Sequence, residues 1–383
     1  MSIPAPPLSL YIHIPWCVKK CPYCDFNSHT SGDIDEEKYL HALMADLDAE
    51  LATDPDIATQ RPIRTIFFGG GTPSLFSPDT IDKIITGAQQ RLIFADDIEI
   101  TMEANPGTFE QNNFSHFRAA GVNRLSIGVQ SFNDSHLAAI GRIHDAAQAL
   151  AAIQSAQQAG FDNINLDLMF GLPGQSISQA VHDIQTACAQ NVQHISHYQL
   201  TIEPNTFFHQ HPPVTPEMEA LWEMQSRCHE VLLDNGFQQY EVSAFARPDR
   251  QCRHNLNYWN FGDYIGIGAG AHGKLTDSAS GKISRRWKRR QPEDYMNHAG
   301  HAALSGQAEI AQDEIIFEFL LNALRLKNGF SYETFERYTG IDREVLKPAC
   351  RNIDAELLLI DESGIRTSER GYRFLNDVLE QFL

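Results

Sequence analysis

Short apolar runs recur along the chain, each followed by a stretch whose apolar residues repeat at helical spacing. Leu8–Ile14 (LSLYIHI) reads as a first strand, and Leu40, Leu43, Met44, Leu47 and Leu51 then fall on one face of a helix over 35–51. A second strand over 64–68 ends in Gly69-Gly70-Gly71. Ser77 before Pro78 opens the next helix, which carries Ile81, Ile84, Ile85, Ala88 and Leu92. Further strands are predicted over 98–103, 124–129, 163–170 and 194–200. Helices over 110–120, 145–159 and 178–189 separate them. Six strands alternating with helices argue for a parallel sheet, either doubly wound or curled into a barrel. Gly70, Glu103, Gln130, Asp167 and Gln199 all fall at or near the C-terminal ends of strands. In a barrel those ends converge on one mouth, where chemistry sits. The expected fold class is therefore α/β, with a partial (β/α)6 TIM-like barrel, open at one side, over 1–212. Turn polarity alone also places such residues at strand ends, so the choice leans on the cysteines described below.

After Pro212 the pattern changes. Residues 217–233 read as a helix. The segment 250–273, rich in Asn, Tyr, Trp and Gly, reads as loop with short strand, and 277–281 as an exposed turn. Residues 213–305 together form an extension to the barrel. From Glu309 the chain turns helical. A strongly apolar amphipathic helix over 315–326 is followed by segments 330–335 and 343–352, a hairpin around 361–367 and a last helix over 369–383. That order resembles a winged helix, and 306–383 is expected to be a smaller, mainly helical C-terminal domain of that type.

Composition narrows the function. With 383 residues, 42% of them hydrophobic, the chain can bury one large core and a smaller one. Its net charge of −19 repels phosphate backbones and anionic lipid. Nucleic acid is not expected as a partner, and membrane association is at most peripheral. No apolar run reaches the 18 or so residues that span a bilayer, and the N-terminus lacks a signal-peptide pattern, so the expected location is the cytoplasm. Arg285, Arg286, Lys288, Arg289 and Arg290 form the one local basic run, which reads as a solvated loop. Of seven cysteines, Cys188, Cys228, Cys252 and Cys350 are scattered, while Cys17, Cys21 and Cys24 crowd together. This is no disulfide framework. It fits a reducing compartment and one dedicated metal centre.

The three clustered cysteines have the spacing Cys17-x3-Cys21-x2-Cys24, directly after the first strand. A [4Fe–4S] cluster normally takes four thiolates, so three leave one iron open to a small molecule. Structural zinc is the alternative. It wants four ligands and would need His13 or His29 as the fourth.

The cysteine spacing resembles the radical SAM superfamily, and Gly69-Gly70-Gly71-Thr72-Pro73 one strand later looks like that family's glycine motif. The resemblance implies a [4Fe–4S] cluster on Cys17, Cys21 and Cys24 with S-adenosylmethionine (SAM) chelating the open iron. It sharpens over nearly the whole chain. Tyr11-Ile12-His13-Ile14-Pro15-Trp16-Cys17, Cys24-Asp25-Phe26, Met102-Glu103-Ala104-Asn105-Pro106, Ser126-Ile127-Gly128-Val129-Gln130-Ser131, Gly141-Arg142-Ile143-His144 and Asp167-Leu168-Met169 are similar to oxygen-independent coproporphyrinogen III dehydrogenase and its relatives. By that likeness Tyr11, Gly70, Gly71, Thr72, Glu103, Gln130, Arg142 and Asp167 occupy SAM-contacting positions. Their chemistry agrees: carboxylates accept from amino and hydroxyl groups, and arginine holds a carboxylate.

Three features depart from the dehydrogenase. Phe26 stands where it has a further cysteine, only 16 residues precede Cys17, and Cys252-Arg253-His254-Asn255-Leu256-Asn257-Tyr258-Trp259 contains the pattern His-Asn-x-x-Tyr-Trp. These resemble the heme chaperone branch of the family, in which that pattern is associated with heme. The branch implies a protein of porphyrin metabolism that binds heme and transfers it to heme-accepting proteins. His254 is the implied heme contact, and His272, in Gly268-Ala269-Gly270-Ala271-His272-Gly273, is a second candidate. A buried hydrogen-bonded loop is the plainer account of the His-Asn-x-x-Tyr-Trp pattern. The alternative function is a radical SAM enzyme acting on a tetrapyrrole, of the coproporphyrinogen III dehydrogenase type.

Overall fold

The computed structural model describes residues 3–30, 32–350 and 353–382. Its centre is a run of parallel strands laid side by side in chain order: β1 (Leu8–Ile14), β2 (Ile63–Gly70), β3 (Phe94–Ala104), β4 (Arg124–Gln130), β5 (Ile164–Phe170) and β6 (His194–Gln199). Between them run α1 (Glu36–Thr53), α2 (Pro78–Gln89), α3 (Thr108–Ala119), α4 (Ala146–Gln158) and α5 (Ile177–Ala189). The helix starts follow the sequence. Asp35, Ser77, Asp145 and Ser176 each accept from a backbone amide of the first turn, and Pro78 occupies the first helical position.

Strand alternation sorts the residues into two faces. Leu8, Leu10, Ile12 and Ile14 of β1, with Ile66 and Phe68 of β2, belong to the apolar layer that packs with Leu43, Leu47, Ile81 and Ile84 of the helices. The intervening positions are largely polar: Ser9, Tyr11 and His13 on β1, Glu99, Thr101 and Glu103 on β3, Asn165 and Asp167 on β5. The concave face is thus a hydrogen-bonded surface, where a closed barrel would have an apolar filling.

The sheet does not close. After α6 (Met218–Asp234), β7 (Gln238–Glu241) and β8 (Ala244–Ala246) extend it antiparallel beyond β6. On the other side β9 (Asp263–Ile267) adds a seventh parallel strand beside β1. β10 (His272–Thr276), β11 (Ile283–Lys288) and β12 (Leu304–Glu309) continue as an antiparallel meander. Twelve strands result, in the order β12-β11-β10-β9-β1-β2-β3-β4-β5-β6-β8-β7.

Two sequence expectations are corrected here. The His-Asn-x-x-Tyr-Trp segment is not a loop but a short helix, α7 (Arg253–Trp259). Its first amides, of Arg253 and His254, donate to the carboxylate of Glu99 on β3 at 3.3 and 3.2 Å. A distant carboxylate supplies the cap that the local sequence lacks. The basic run is for the most part not a solvated loop, exposed Arg290 excepted. Residues 285–288 belong to β11, and buried Lys288 lies 2.5 Å from both Asp46 and Glu50 of α1. Arg286 pairs with Glu50 and Arg285 with Glu318.

The C-terminal segment has its own apolar core. Phe319 on α8 (Glu314–Ala323) meets Phe330 and Phe335 edge-on, with ring centroids 4.9 and 5.1 Å apart. β13 (Phe330–Ser331), α9 (Tyr332–Thr339), and the hairpin β14 (Leu358–Ile360) and β15 (Gly364–Thr367) complete it, with β15 central in a three-stranded sheet. The last helix is broken at Phe374 into Glu369–Arg373 and Leu375–Glu380. The ends of the expected segments 343–352 and 369–383 lie outside the described residues. No helix among the described residues is long and apolar enough to cross a membrane.

Candidate functional site

The chain leaves β1 through Pro15 into the cysteine loop. Trp16–Cys17 pairs in parallel with His29–Thr30, and the Cys24 amide donates to the Cys21 carbonyl at 3.1 Å. Cys17, Cys21 and Cys24 are half-buried and free of disulfides. Each sulfur has a polar neighbour. Thr72 Oγ1 donates to Cys17 Sγ at 3.7 Å, Arg142 Nη1 donates to Cys21 Sγ at 3.7 Å, and Ser28 Oγ lies 3.9 Å from Cys24 Sγ. Burial raises the pKa of the Cys17 and Cys24 thiols, so a cation is what would make three thiolates stable together. Among the described residues no three His, Cys, Asp or Glu side chains close on a point where a single metal ion would sit. His13, one possible fourth zinc ligand, is committed: its Nδ1 accepts from the Tyr11 hydroxyl at 2.9 Å and its Nε2 donates to the Asn27 carbonyl at 2.9 Å. An iron–sulfur cluster makes a different demand, one thiolate on each of three irons, and three cysteines on one loop match that donor set.

Glycine lets the end of β2 lie against this loop. A Cβ at Gly71 would stand 2.4 Å from the Trp16 carbonyl oxygen. At Gly70, where φ is +119°, it would stand 2.6 Å from the His13 ring. Gly71 and Thr72 donate their amides to the carbonyls of Ile14 and Trp16. A hydrogen-bonded relay continues from there. Arg142 Nη2 donates to Asn105 Oδ1 at 2.6 Å and to the Gly128 carbonyl at 2.8 Å. Asn105 Nδ2 donates to Thr72 Oγ1 at 2.9 Å, and Thr72 donates in turn to Cys17. The guanidinium therefore touches two neutral oxygens and a sulfur, and its buried Nε has no partner. Such a group suits an arriving carboxylate.

Glu103, Asp167 and Gln130 complete the mouth. Glu103 accepts the Gly70 amide at 3.1 Å; burial, then the nearby Asp167, push its pKa up to about 8. Asp167 accepts from Ser126 Oγ at 2.9 Å and Asn165 Nδ2 at 2.8 Å, and burial raises it too. Two buried acids side by side await a cation or hydroxyl donors, which the amino and ribose groups of SAM offer. Gln130 ends β4 at φ 69°, a left-handed conformation that costs a residue of its kind about 1–3 kcal/mol. The Tyr198 hydroxyl donates to its Oε1 at 2.7 Å.

His254 takes the buried, hydrogen-bonded placement that the sequence also allowed. It is buried, and both ring nitrogens are engaged. Nδ1 lies 2.7 Å from Thr65 Oγ1, and because Thr65 donates onward to Ser9, Nδ1 carries the proton. Nε2 then accepts from the Tyr258 hydroxyl at 2.8 Å. Burial lowers the pKa to about 3, so the ring is neutral, but its one lone pair is taken. The residue expected as a heme contact thus has its two ring nitrogens bonded to Thr65 and Tyr258.

Two cavities flank the loop. One, of about 860 Å³, runs along the concave face from Tyr11, Gly70 and Glu103 to Tyr258, His272 and Trp287. The other, of about 1480 Å³, lies between the ends of β5 and β6 and the C-terminal segment, lined by His197, Tyr198, Trp222 and Tyr372. Phe26, 61% exposed, lines both.

Comparison with known proteins agrees with this geometry. Residues 11–187 match the radical SAM superfamily model, and residues 310–374 match the HemN C-terminal domain. A protein of Escherichia coli strain K12 named heme chaperone HemW is 47% identical over 380 residues, covering 99% of this chain and 98% of its own. One of the same name from Haemophilus influenzae is 46% identical with the same coverage. The chain belongs to the HemW family. Its fold is also that of coproporphyrinogen III oxidase (HemN) from Escherichia coli, described as a radical SAM enzyme, with a TM-score of 0.81 over 99% of this chain and 90% of that one at 24% identity.

In this HemW-family chain the expected SAM positions Gly70, Glu103 and Gln130 fall at strand ends, Tyr11 and Asp167 lie within β1 and β5, and Gly71, Thr72 and Arg142 follow in loops, with Thr72 and Arg142 reaching Cys17 and Cys21. Asn105 and His13 are hydrogen-bonded to members of this set, Asn105 to Thr72 and Arg142 and His13 to Tyr11, though the sequence motifs assigned Asn105 no role and His13 only a possible zinc contact. Asn105 follows Glu103 by two residues in a run already singled out, and His13 follows Tyr11 by two on the same face of β1. Strand periodicity was the available signal.

Proposed function

We propose that this chain is a heme chaperone, which binds heme and passes it to acceptor proteins. In this reading Cys17, Cys21 and Cys24 hold a [4Fe–4S] cluster, and Tyr11, Gly70, Gly71, Thr72, Glu103, Gln130, Arg142 and Asp167 hold SAM. The observation that carries the function is the 46–47% identity over nearly the full chain to proteins named heme chaperone HemW. The geometry supports it in two ways. The loop presents Phe26 between two cavities where the dehydrogenase has a cysteine. The 860 Å³ cavity also has the size of a small-molecule site.

When bound, the cluster supplies electron transfer to SAM and the sulfonium supplies an electrophile. The protein's part is to hold and shield. Arg142 receives the SAM carboxylate while Asn105 and Thr72 fix its orientation against the loop. Glu103 and Asp167 take the amino and ribose hydroxyl groups. The Gly70–Gly71 backbone approaches without side-chain obstruction.

The presence of every residue expected to contact SAM also favours a second reading, a radical enzyme that acts on a tetrapyrrole. Two anaerobic assays separate the readings. Heme titration of the cluster-reconstituted protein, followed by mixing with an apo-heme protein, is expected to show saturable binding and then movement of the Soret absorbance to the acceptor. No saturable binding would overturn the chaperone reading. Conversion of coproporphyrinogen III to protoporphyrinogen with SAM and reductant would establish the enzyme instead.

A further inference from the structure

We infer that His272 is the axial ligand of heme iron, and that the cradle for the macrocycle is the concave face of β9, β10 and β11. The inference rests on the heme-binding reading above and deepens it by naming where the iron sits.

Register puts the relevant side chains on one face. His272 of β10 lies directly opposite Trp287 of β11, and Lys274 opposite both Arg285 and Tyr264. Residues opposite each other in an antiparallel pair point the same way, as do residues two apart. His272, Tyr264, Arg285 and Trp287 therefore share one face and line the 860 Å³ cavity. Opposite Trp287 on β12 stands Gly306, where a Cβ would come within 2.4 Å of the indole. Glycine there lets the indole lie along the sheet, leaving it as a flat apolar wall. Tyr258 closes the inner side, its hydroxyl held by His254.

Of the histidines considered for heme, His272 is the open one. It is exposed to the cavity and its ring makes no hydrogen bond among the described residues, whereas both nitrogens of His254 are taken. Burial, then Arg285 and Arg290, lower its pKa, so it presents a neutral imidazole, the form that binds iron. The cavity also supplies charge for the two propionates. Arg285 is paired with Glu318, but Arg290 at the rim is exposed and has no ion pair among the described residues. Guanidinium is the usual partner of a carboxylate. Iron coordinated by one nitrogen, a ring between aromatic walls and acids on a cationic rim give His272, Trp287 and Arg290 each a part, while Lys274 is consumed by Asp263 and Arg285 by Glu318.

The test is anaerobic titration of the full chain with heme, comparing wild type, His272→Ala and Trp287→Ala by absorption and electron paramagnetic resonance. Thermal unfolding controls for intact folding. His272→Ala is expected to shift the Soret band, lose the imidazole signature and bind about tenfold or more weakly, and added imidazole should restore the spectrum. Trp287→Ala should weaken binding with the ligand signature unchanged. Wild-type binding with an unaltered spectrum in His272→Ala would overturn this inference and leave the heme reading standing. Failure of wild type to bind heme would overturn both.

Discussion

The hydroxyl of Tyr258 donates to Nε2 of His254 across 2.8 Å, one helical turn apart on α7. This pair fixes the ring of Tyr258 as a wall of the cavity. His254→Phe keeps the ring shape and leaves the Tyr258 hydroxyl unsatisfied, a cost of about 1–3 kcal/mol. The cost should depend on pH. His254 has a folded pKa of about 3 against an ordinary 6.5, so its contribution to stability is complete above pH 6.5 and is lost as the pH falls toward 3. Denaturant unfolding of wild type and variant should therefore differ most above pH 6.5 and converge on acidification. A gap that widens in acid would contradict the neutral, hydrogen-bonded imidazole.

Glu103, with its pKa near 8, is mostly protonated at pH 7. A cationic amino group beside it favours the carboxylate, so SAM binding at pH 7 should release a proton, and affinity should rise as the pH approaches 8. Calorimetry in buffers of different ionisation enthalpy measures that proton. Glu103→Gln should abolish the release, and heats independent of buffer in wild type would remove Glu103 from the amino-group contact.

Gly71 has no room for a methyl group, since the Trp16 carbonyl would lie 2.4 Å from it, whereas nothing lies within 4 Å of a Cβ at Gly32. Gly71→Ala should displace the cysteine loop and lower the iron retained after reconstitution severalfold. Gly32→Ala should retain the wild-type amount. Equal iron in both variants would show that the close approach is dispensable.

Lys288 is buried between Asp46 and Glu50 and ties β11 to α1. Lys288→Met leaves buried Asp46 without its cation and Glu50 with Arg286 alone, and should destabilise the protein by about 3–5 kcal/mol. The denaturant midpoint reports it. A loss under 1 kcal/mol would mean that Arg286 and Tyr295, which also touch these carboxylates, suffice to hold them.

What the sequence discloses and what it hides divide along contact range. Strand and helix order through β6, the Ser77-Pro78 helix start and the gathering of Glu103, Gln130 and Asp167 at one end all follow from local periodicity. The helical state of 253–259 does not, because Glu99, which caps it, lies more than 150 residues earlier in the chain. The strand at 285–288 is hidden for the same reason. Its charges look solvated until α1 brings Asp46 and Glu50 beneath them. The short strand expected within 250–273 is β9, but its place beside β1 is hidden, because that parallel partner is some 250 residues away. At His254 the sequence leaves two roles open, because imidazole is both an iron ligand and a hydrogen-bonding hinge, and its bond to Thr65 spans 189 residues of chain.

Phe26 is a wall common to both cavities. A ligand in either cavity that moves its ring changes the walls of the other, and thermodynamic reciprocity then requires each occupant to alter the affinity of its counterpart by an equal factor. Because the ring sits two residues past Cys24, the metal loop is the fulcrum of that exchange. A molecule seated on one side would thus be felt on the other through a single aromatic side chain, with no need for the twelve-stranded sheet itself to change shape.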